Sequence, residues 1–343
     1  MKYTYTIGER TFHFIHPAGT SRGVYRKRLS WIVTLRDEVG HKGLGECAPL
    51  PNLSCDDLPE YRERLEKACH EVAISGQIDI DALRPYPSIL FGLETALLHL
   101  KARSTTLFDT PFSRGEEGIP INGLVWMGSF DEMLERMKGK LAEGFHCIKL
   151  KIGAIDFERE VELLRRLRAK YPIGELQIRV DANGGFAPEE ALKKLEILAK
   201  YGVHSIEQPI RQGQWSKLSS LCRQSPVPIA LDEELIGVNA IDDKTTLLDT
   251  VNPQYIVLKP SLHGGFSGTR EWIEIARERG IGSWITSALE GNIGLNAVAQ
   301  LAADAYGPGI TFPQGLGTGA LYSDNISMPI EIKGEHLWYS KNS

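Results

Sequence analysis

Short apolar runs, each closed by a charged residue, recur through the second half of the chain and are separated by polar stretches patterned like helices. Residues 146–151 close on Lys151, 177–181 on Asp181, 203–207 on Glu207, 228–232 on Asp232 and 254–259 on Lys259. The closing residues stand 30, 26, 25 and 27 positions apart. That interval approaches the roughly 30 residues of one strand–helix unit when about 250 residues make eight such units. Alternation with helix-like stretches such as 156–170, 187–201 and 268–280 predicts βαβ units and a parallel sheet. Residues 119–125 supply a first strand, 282–287 a seventh and 310–312 an eighth, which predicts an α/β barrel over 116–320. In such a barrel the C-terminal strand ends surround one pocket.

The first hundred residues have a different texture. Residues 1–47 alternate as strands do, most clearly over 30–35, and 57–74 and 88–103 read as amphipathic helices. Strands followed by helices predict a separate α+β domain over 1–115, and the Ser-, Thr-, Pro- and Gly-rich stretch 104–118 reads as the linker. Two loops in this domain, 17–23 and 45–52, are rich in small residues and suit either a lid or an ordinary turn.

Composition narrows the function classes. The chain has 343 residues, 42% of them hydrophobic, and a net charge of −5. That is enough for a barrel with a smaller domain. Lys and Arg are scattered, so the electrostatic footprint of a nucleic-acid binder is missing. The start has no signal-peptide core and no apolar run is long enough to span a bilayer, so a cytoplasmic enzyme with a small-molecule partner and no membrane or nucleic-acid partner is expected. Five cysteines without CxxC spacing indicate neither a disulfide framework nor a zinc site.

The closing residues carry the chemistry. One acidic residue at a strand end is usually a helix cap or an ion-pair partner; three on successive strands, flanked by lysines, are not explained that way. Asp181, Glu207 and Asp232 cannot all stay ionised together without a cation, and an all-oxygen donor set favours Mg²⁺, with Mn²⁺ the alternative. Glu233 and Glu234 crowd Asp232; parity does not separate Asp232 from Glu234, but Asp232 directly ends the apolar run. Lys149 and Lys151 lie two apart on one strand, with Cα atoms roughly 6–7 Å apart on one face. Their repulsion is expected to lower one pKa towards neutrality and suit it as a general base, although Lys149 also suits an ion pair with an acidic ligand. Lys259 is expected from the opposite side. Arg179 shares the inward parity of Asp181 and reads as a substrate contact or an interior salt bridge. Such a set suits removal of a proton next to a carboxylate, where a divalent ion neutralises the resulting charge. A Schiff-base barrel acting through Lys151 or Lys259 is the competing reading.

Together, Lys149-x-Lys151, Arg179-Val180-Asp181-Ala182-Asn183, Glu207-Gln208-Pro209, Asp232-Glu233 and Leu258-Lys259-Pro260 resemble the enolase superfamily in its muconate-lactonizing-enzyme subgroup. Within it, residues 122–128, 287–292 and 315–321 are most similar to the o-succinylbenzoate synthase family. The resemblance implies a modified TIM barrel, (β/α)₇β, with an N-terminal α+β capping domain on which the C-terminal tail 321–343 packs. It implies Mg²⁺-dependent syn dehydration of 2-succinyl-6-hydroxy-2,4-cyclohexadiene-1-carboxylate to o-succinylbenzoate, a step of menaquinone biosynthesis. Lys151 is then the base and afterwards the acid, with Lys149 beside it. Lys259 faces the enediolate through a cation–π contact, and Asp181, Glu207 and Asp232 hold the metal. Gly19, Thr20 and Ser21 of the 17–23 loop, with Asn183, Arg179, Ser287 and Gly317, become substrate contacts. An N-succinylamino acid racemase or a dipeptide epimerase using Lys151 and Lys259 is the alternative. The stretch 312–317 lacks the acidic pair with which dipeptide epimerases bind an ammonium, which argues against the latter. Residues 231–235 read Leu-Asp-Glu-Glu-Leu, a departure from the usual small residue after Asp-Glu.

Overall fold

A computed structural model describes residues 2–20, 23–153 and 156–340. Strands β1 (Thr4–Thr20), β2 (Gly23–Arg36) and β3 (Lys42–Cys47) pair antiparallel in that order. Alternation turns Val33, Leu35 and Cys47 inward, onto apolar faces of α1 (Tyr61–Ser75) and α3 (Pro87–Ala102); α2 (Ile80–Leu83) is a single turn between them. Sheet and helix approach so closely at Gly45 that a Cβ there would lie 1.8 Å from the Gly92 carbonyl oxygen. Only glycine fits.

Of the stretch expected as a loop over 17–23, the described residues 17–20 and Gly23 instead belong to the paired strands β1 and β2. Ala18, Gly19 and Thr20 pair with Tyr25, Val24 and Gly23 after a register shift that follows His13. Pairing with Val24 and Tyr25, residues that favour strands, outweighs the weak strand preference of Ala18 and Gly19. Ser21 lies outside the described residues.

The barrel follows. After the short β4 (Ile119–Pro120) come β5 (Gly123–Val125), β6 (Cys147–Lys151), β7 (Gln177–Asp181), β8 (Val203–Glu207), β9 (Ile229–Leu231), β10 (Tyr255–Leu258) and β11 (Gly282–Ile285). From β5 to β11 each strand is the parallel neighbour of the next. The intervening helices are α4 (Phe130–Ala142), α5 (Phe157–Lys170), α6 (Pro188–Ala199), α7 (Trp215–Gln224), α8 (Ile241–Val251) and α9 (Gly265–Glu278), and α10 (Asn292–Tyr306) follows β11. Their apolar faces and the outer sheet face make one continuous core.

The eighth segment is two residues long and lies beyond the 310–312 run expected for it. Gln314 bridges to Ile121 and Gly315 to Thr286, joining the two ends of the seven-stranded sheet. Asn122 N–H donates to Gln314 O at 3.0 Å and Gly315 N–H to Ile285 O at 2.9 Å. Proline cannot donate into a ladder, so Pro313 postpones pairing, and Phe312 places its ring among Tyr255, Trp284 and Arg179. The first strand expected over 119–125 is likewise split: β4 pairs with a C-terminal hairpin, and only Gly123–Val125 joins the barrel.

Two parts of the tail go to different places. Tyr322 bridges Phe14 of β1, and Asp324 accepts from the His13 backbone and pairs with its ring. The hairpin of β12 (Ile330–Lys333) and β13 (His336–Tyr339), in contrast, adds to β4, and Ile121 N–H donates to Glu335 O. It therefore covers the N-terminal barrel face and not the cap expected to receive residues 321–343.

The cap is fixed to the barrel by buried carboxylates at helix starts. Glu94 on α3 accepts from the backbone N–H groups of Phe266 and Ser267 in the first turn of α9. Glu46 on β3 accepts from Gly291 and Gly294 at the start of α10, at 2.7 and 2.9 Å. Helix N-termini present unpaired donors and partial positive charge, so each carboxylate satisfies both. Arg84 adds a two-pronged ion pair to Glu271 at 2.9 Å.

Candidate active site

Strand register assembles the site. Lys151 lies opposite Asp181, and Asp181 opposite Glu207, on adjacent parallel strands, so inward parity puts these side chains in one layer. Asp232 directly follows β9 and Lys259 directly follows β10. Carboxylate oxygens of Asp181, Glu207 and Asp232 lie within 4.8 Å of one another, and all three residues are fully buried.

Each of the three lysines stands on a carboxylate. Lys149 bonds Glu207 and lies 2.9 Å from Asp181; Lys151 lies 2.7 Å from Asp181; Lys259 bonds Asp232. Burial by itself would lower Lys149, but Asp181, Glu207 and Asp232 outweigh it and hold the ammonium above the ordinary lysine range. The expected discharge of one lysine by its neighbour is therefore not the arrangement at Lys149, because carboxylates separate the ammonium groups. Asp181 is held far below the carboxylate range, as Lys149 and Lys151 outweigh its burial. Glu207 is pushed up to about 7 by burial and by Asp181 and Asp232.

These groups fit a divalent cation. The donors are hard oxygens, they converge, and Glu207 Oε1 is buried without a hydrogen-bond partner among the described residues. Such an orphaned acceptor is costly without a ligand.

The residues crowding Asp232 separate by role. Glu234 accepts from Gln208 Nε2 at 3.1 Å and from Gly213 N–H at 2.8 Å, and so belongs to the loop after β8. Glu233 turns into the cavity and accepts from Asn183 Nδ2 at 2.8 Å, while Asn183 Oδ1 accepts from Lys151 at 2.9 Å. Burial and Asp232 push Glu233 up to about 7. Asn183 and Gln208 have positive φ angles of 43° and 39°. Non-glycine residues in that region are uncommon and gather at functional sites.

Of the residues predicted as substrate contacts, Asn183, Ser287 and Gly317 line the cavity, and the Ser287 and Thr318 hydroxyls bond each other. Arg179 does not line it. It is fully buried one layer below, with its guanidinium 4.1 Å from the Phe312 ring centre and 4.7 Å from that of Trp284, donating to Pro313 O at 2.8 Å. Two positions before Asp181 on the strand, the same parity that turns Arg179 inward also sets it deeper. For Gly19 and Thr20 the described feature is their backbone pairing in the hairpin. Among the other lining residues, Tyr25, Leu50, Leu53, Leu124, Trp126 and Leu289 were not assigned as contacts from the sequence. Tyr25 and Leu124 sit on strands and the others in loops, and no period marks any of them as lining; the 45–52 loop and the 122–128 and 287–292 motifs pointed near Leu50, Leu124, Trp126 and Leu289 without assigning them.

Similarity to known proteins agrees with this geometry. Residues 132–335 match the enolase C-terminal domain-like family and residues 21–100 the MenC N-terminal domain. The o-succinylbenzoate synthase of Desulfotalea psychrophila is 46% identical over 95% of this chain and 96% of its own length. The crystal structure of MenC from that organism superposes with a TM-score of 0.83 at 40% identity, covering 98% of this chain and 100% of that one. The L-Ala-D/L-Glu epimerase of Bacillus subtilis shares the fold at 20% identity, with a TM-score of 0.83 over 99% of this chain and 96% of that one. By domain content and near-full-length similarity, the chain belongs to the enolase superfamily, in its o-succinylbenzoate synthase (MenC) family.

Proposed function

We propose that the protein catalyses Mg²⁺-dependent syn dehydration of 2-succinyl-6-hydroxy-2,4-cyclohexadiene-1-carboxylate to o-succinylbenzoate in menaquinone synthesis, as a cytoplasmic carbon–oxygen lyase. The observation that carries the reading is the layer of Lys151, Asp181, Glu207, Asp232 and Lys259 at one barrel mouth. Asp181, Glu207 and Asp232 would hold the cation, which when bound supplies positive charge to the oxygens of the substrate carboxylate. Mg²⁺ is favoured over zinc because the set holds oxygen donors alone, with Mn²⁺ the alternative.

The chain's own residues account for the proton transfers. Lys151 removes the proton from the carbon bearing the carboxylate, leaving a delocalised enediolate anion, whose electron pair then forms the ring double bond as hydroxide leaves the neighbouring carbon. The Lys151 ammonium returns that proton to the departing hydroxide, so water leaves and the amine is regenerated. One group on one face serves both steps, which makes the elimination syn. Lys259 faces the delocalised anion as a fixed cation. Asn183 orients Lys151 from the side, and Lys149 balances the charge of Asp181 and Glu207 beneath it. Leu50, Leu53, Trp126 and Leu289 exclude water from the far end.

The second reading, racemisation of an N-succinylamino acid, uses the same lysines and differs only in reprotonation by Lys259. Competition between that substrate and the cyclohexadiene separates the two. The proposed function requires kcat/KM for the cyclohexadiene to exceed that for any N-succinylamino acid by orders of magnitude. The reverse ranking makes the protein a racemase.

A further inference from the structure

We infer that Arg28 of the cap is a positioning residue that sets the apolar wall of the active site, and through it the affinity for the part of the substrate remote from the lysines. The inference rests on the function proposed above. Arg28 is 1% exposed and lies on β2, outside the cavity itself. Its guanidinium donates to three backbone carbonyls: Pro49 through Nη1, Ala48 through Nη2, and Leu289 through Nε at 3.3 Å. Its hydrogen bonds and ion pairs among the described residues include no carboxylate. A buried cation used in this way is a poor means of stabilising a fold, since an apolar side chain of similar volume would avoid its desolvation. The arrangement makes sense where it fixes a geometry.

What it fixes is a pair of cavity walls. Ala48 and Pro49 immediately precede Leu50, and Leu50 and Leu289 both line the cavity shared by Lys149, Lys151 and Lys259. They belong to one buried apolar cluster, against which Leu53, Trp126 and Tyr25 pack. Leu50 comes from the cap and Leu289 from the barrel, so one guanidinium sets their separation. Leu289 also has a φ of 65°. A bulky residue keeps that left-handed conformation only where its surroundings impose it. Here the imposition is visible: the Leu289 carbonyl accepts from both Arg28 and Tyr322 Oη, the latter at 2.7 Å. On either side of it, Ala288 N–H is bound by Glu290 and Gly291 N–H by Glu46, each at 2.7 Å. The planar fork of arginine reaches three acceptors at once; the single ammonium of lysine does not.

The test compares wild type with Arg28→Met, Arg28→Lys and Tyr322→Phe by steady-state kinetics with the cyclohexadiene substrate, alongside crystal structures. The expected result is a KM raised at least tenfold in Arg28→Met with kcat within threefold of wild type. A smaller rise is expected in Arg28→Lys and in Tyr322→Phe, with Leu289 leaving the left-handed region in the Arg28→Met crystal. If Arg28→Met does not fold, the KM of Tyr322→Phe decides. A wild-type KM in a folded Arg28→Met, or in Tyr322→Phe when that variant must decide, overturns the inference, as does an equal fall in kcat without change in KM. Failure of the function proposed above would show separately, as absence of turnover by wild type; the conformation of Leu289 in the variant crystals then decides on its own.

Discussion

Lys151 Nζ lies 2.7 Å from Asp181 Oδ2, so the proposed base and a proposed metal ligand form one ion pair. A cation held by Asp181 would share that oxygen with Lys151 and leave the Lys151 side chain freer to turn towards substrate. Base and metal site are thereby linked through a single carboxylate.

Lys151→Ala is expected to lower turnover by about 10²–10⁴-fold and to abolish exchange of the α-proton with solvent. Deuterium incorporation from heavy water, read by mass spectrometry on recovered substrate, checks this. Exchange at the wild-type rate in the variant would move the role of base to another residue.

Asp232 and Glu234 are separated by what each already holds. Asp232→Asn is expected to weaken Mg²⁺ binding by more than about 100-fold in calorimetric titration. Glu234→Gln, which disturbs only the Gln208 and Gly213 contacts, should cost about tenfold at most. Equal losses would assign the third ligand wrongly.

Asp56 gives a pH dependence with a definite sign. It accepts from Ser88 N–H at 2.9 Å and Ser88 Oγ at 2.6 Å, and burial pushes its carboxyl from 3.8 up to about 6. With the folded value raised, the folded state binds the proton more tightly than the unfolded chain. This contribution to stability is complete below about pH 4 and is lost as pH rises through about 6. The Asp56→Asn variant should lack that decline, which amounts to about 3 kcal/mol. Urea unfolding of both proteins at several values between pH 4 and 7 measures the difference; parallel curves would contradict it.

Arg179→Ala is expected to leave Mg²⁺ affinity unchanged while destabilising the fold by about 2 kcal/mol, through the cavity left behind and loss of the Pro313 bond and the contacts with Phe312 and Trp284. A selective loss of metal or substrate binding without loss of stability would return Arg179 to the site.

The regular spacing from Lys151 to Lys259 made the barrel and its charged layer legible in the sequence, because strand parity and βα length are local and periodic. What periodicity does not carry was misplaced. Phe312 ends a run that looks like a strand, yet its ring is spent inside the barrel and Pro313 delays pairing to Gln314. Inward parity could not tell the layer of Asp181 from that of Arg179, since residues two apart point the same way at different depths. Arg28, and its role in tying Leu50 to Leu289, left no trace in the pattern, because the contact between Arg28 and Leu289 joins cap and barrel residues 261 positions apart.

The central claim is tested most directly by following loss of the diene chromophore when the purified protein meets 2-succinyl-6-hydroxy-2,4-cyclohexadiene-1-carboxylate, with Mg²⁺ and with EDTA. The account predicts rapid loss with Mg²⁺, formation of o-succinylbenzoate, and none with EDTA. Undiminished turnover in EDTA, or no turnover with Mg²⁺ by folded protein, would contradict it.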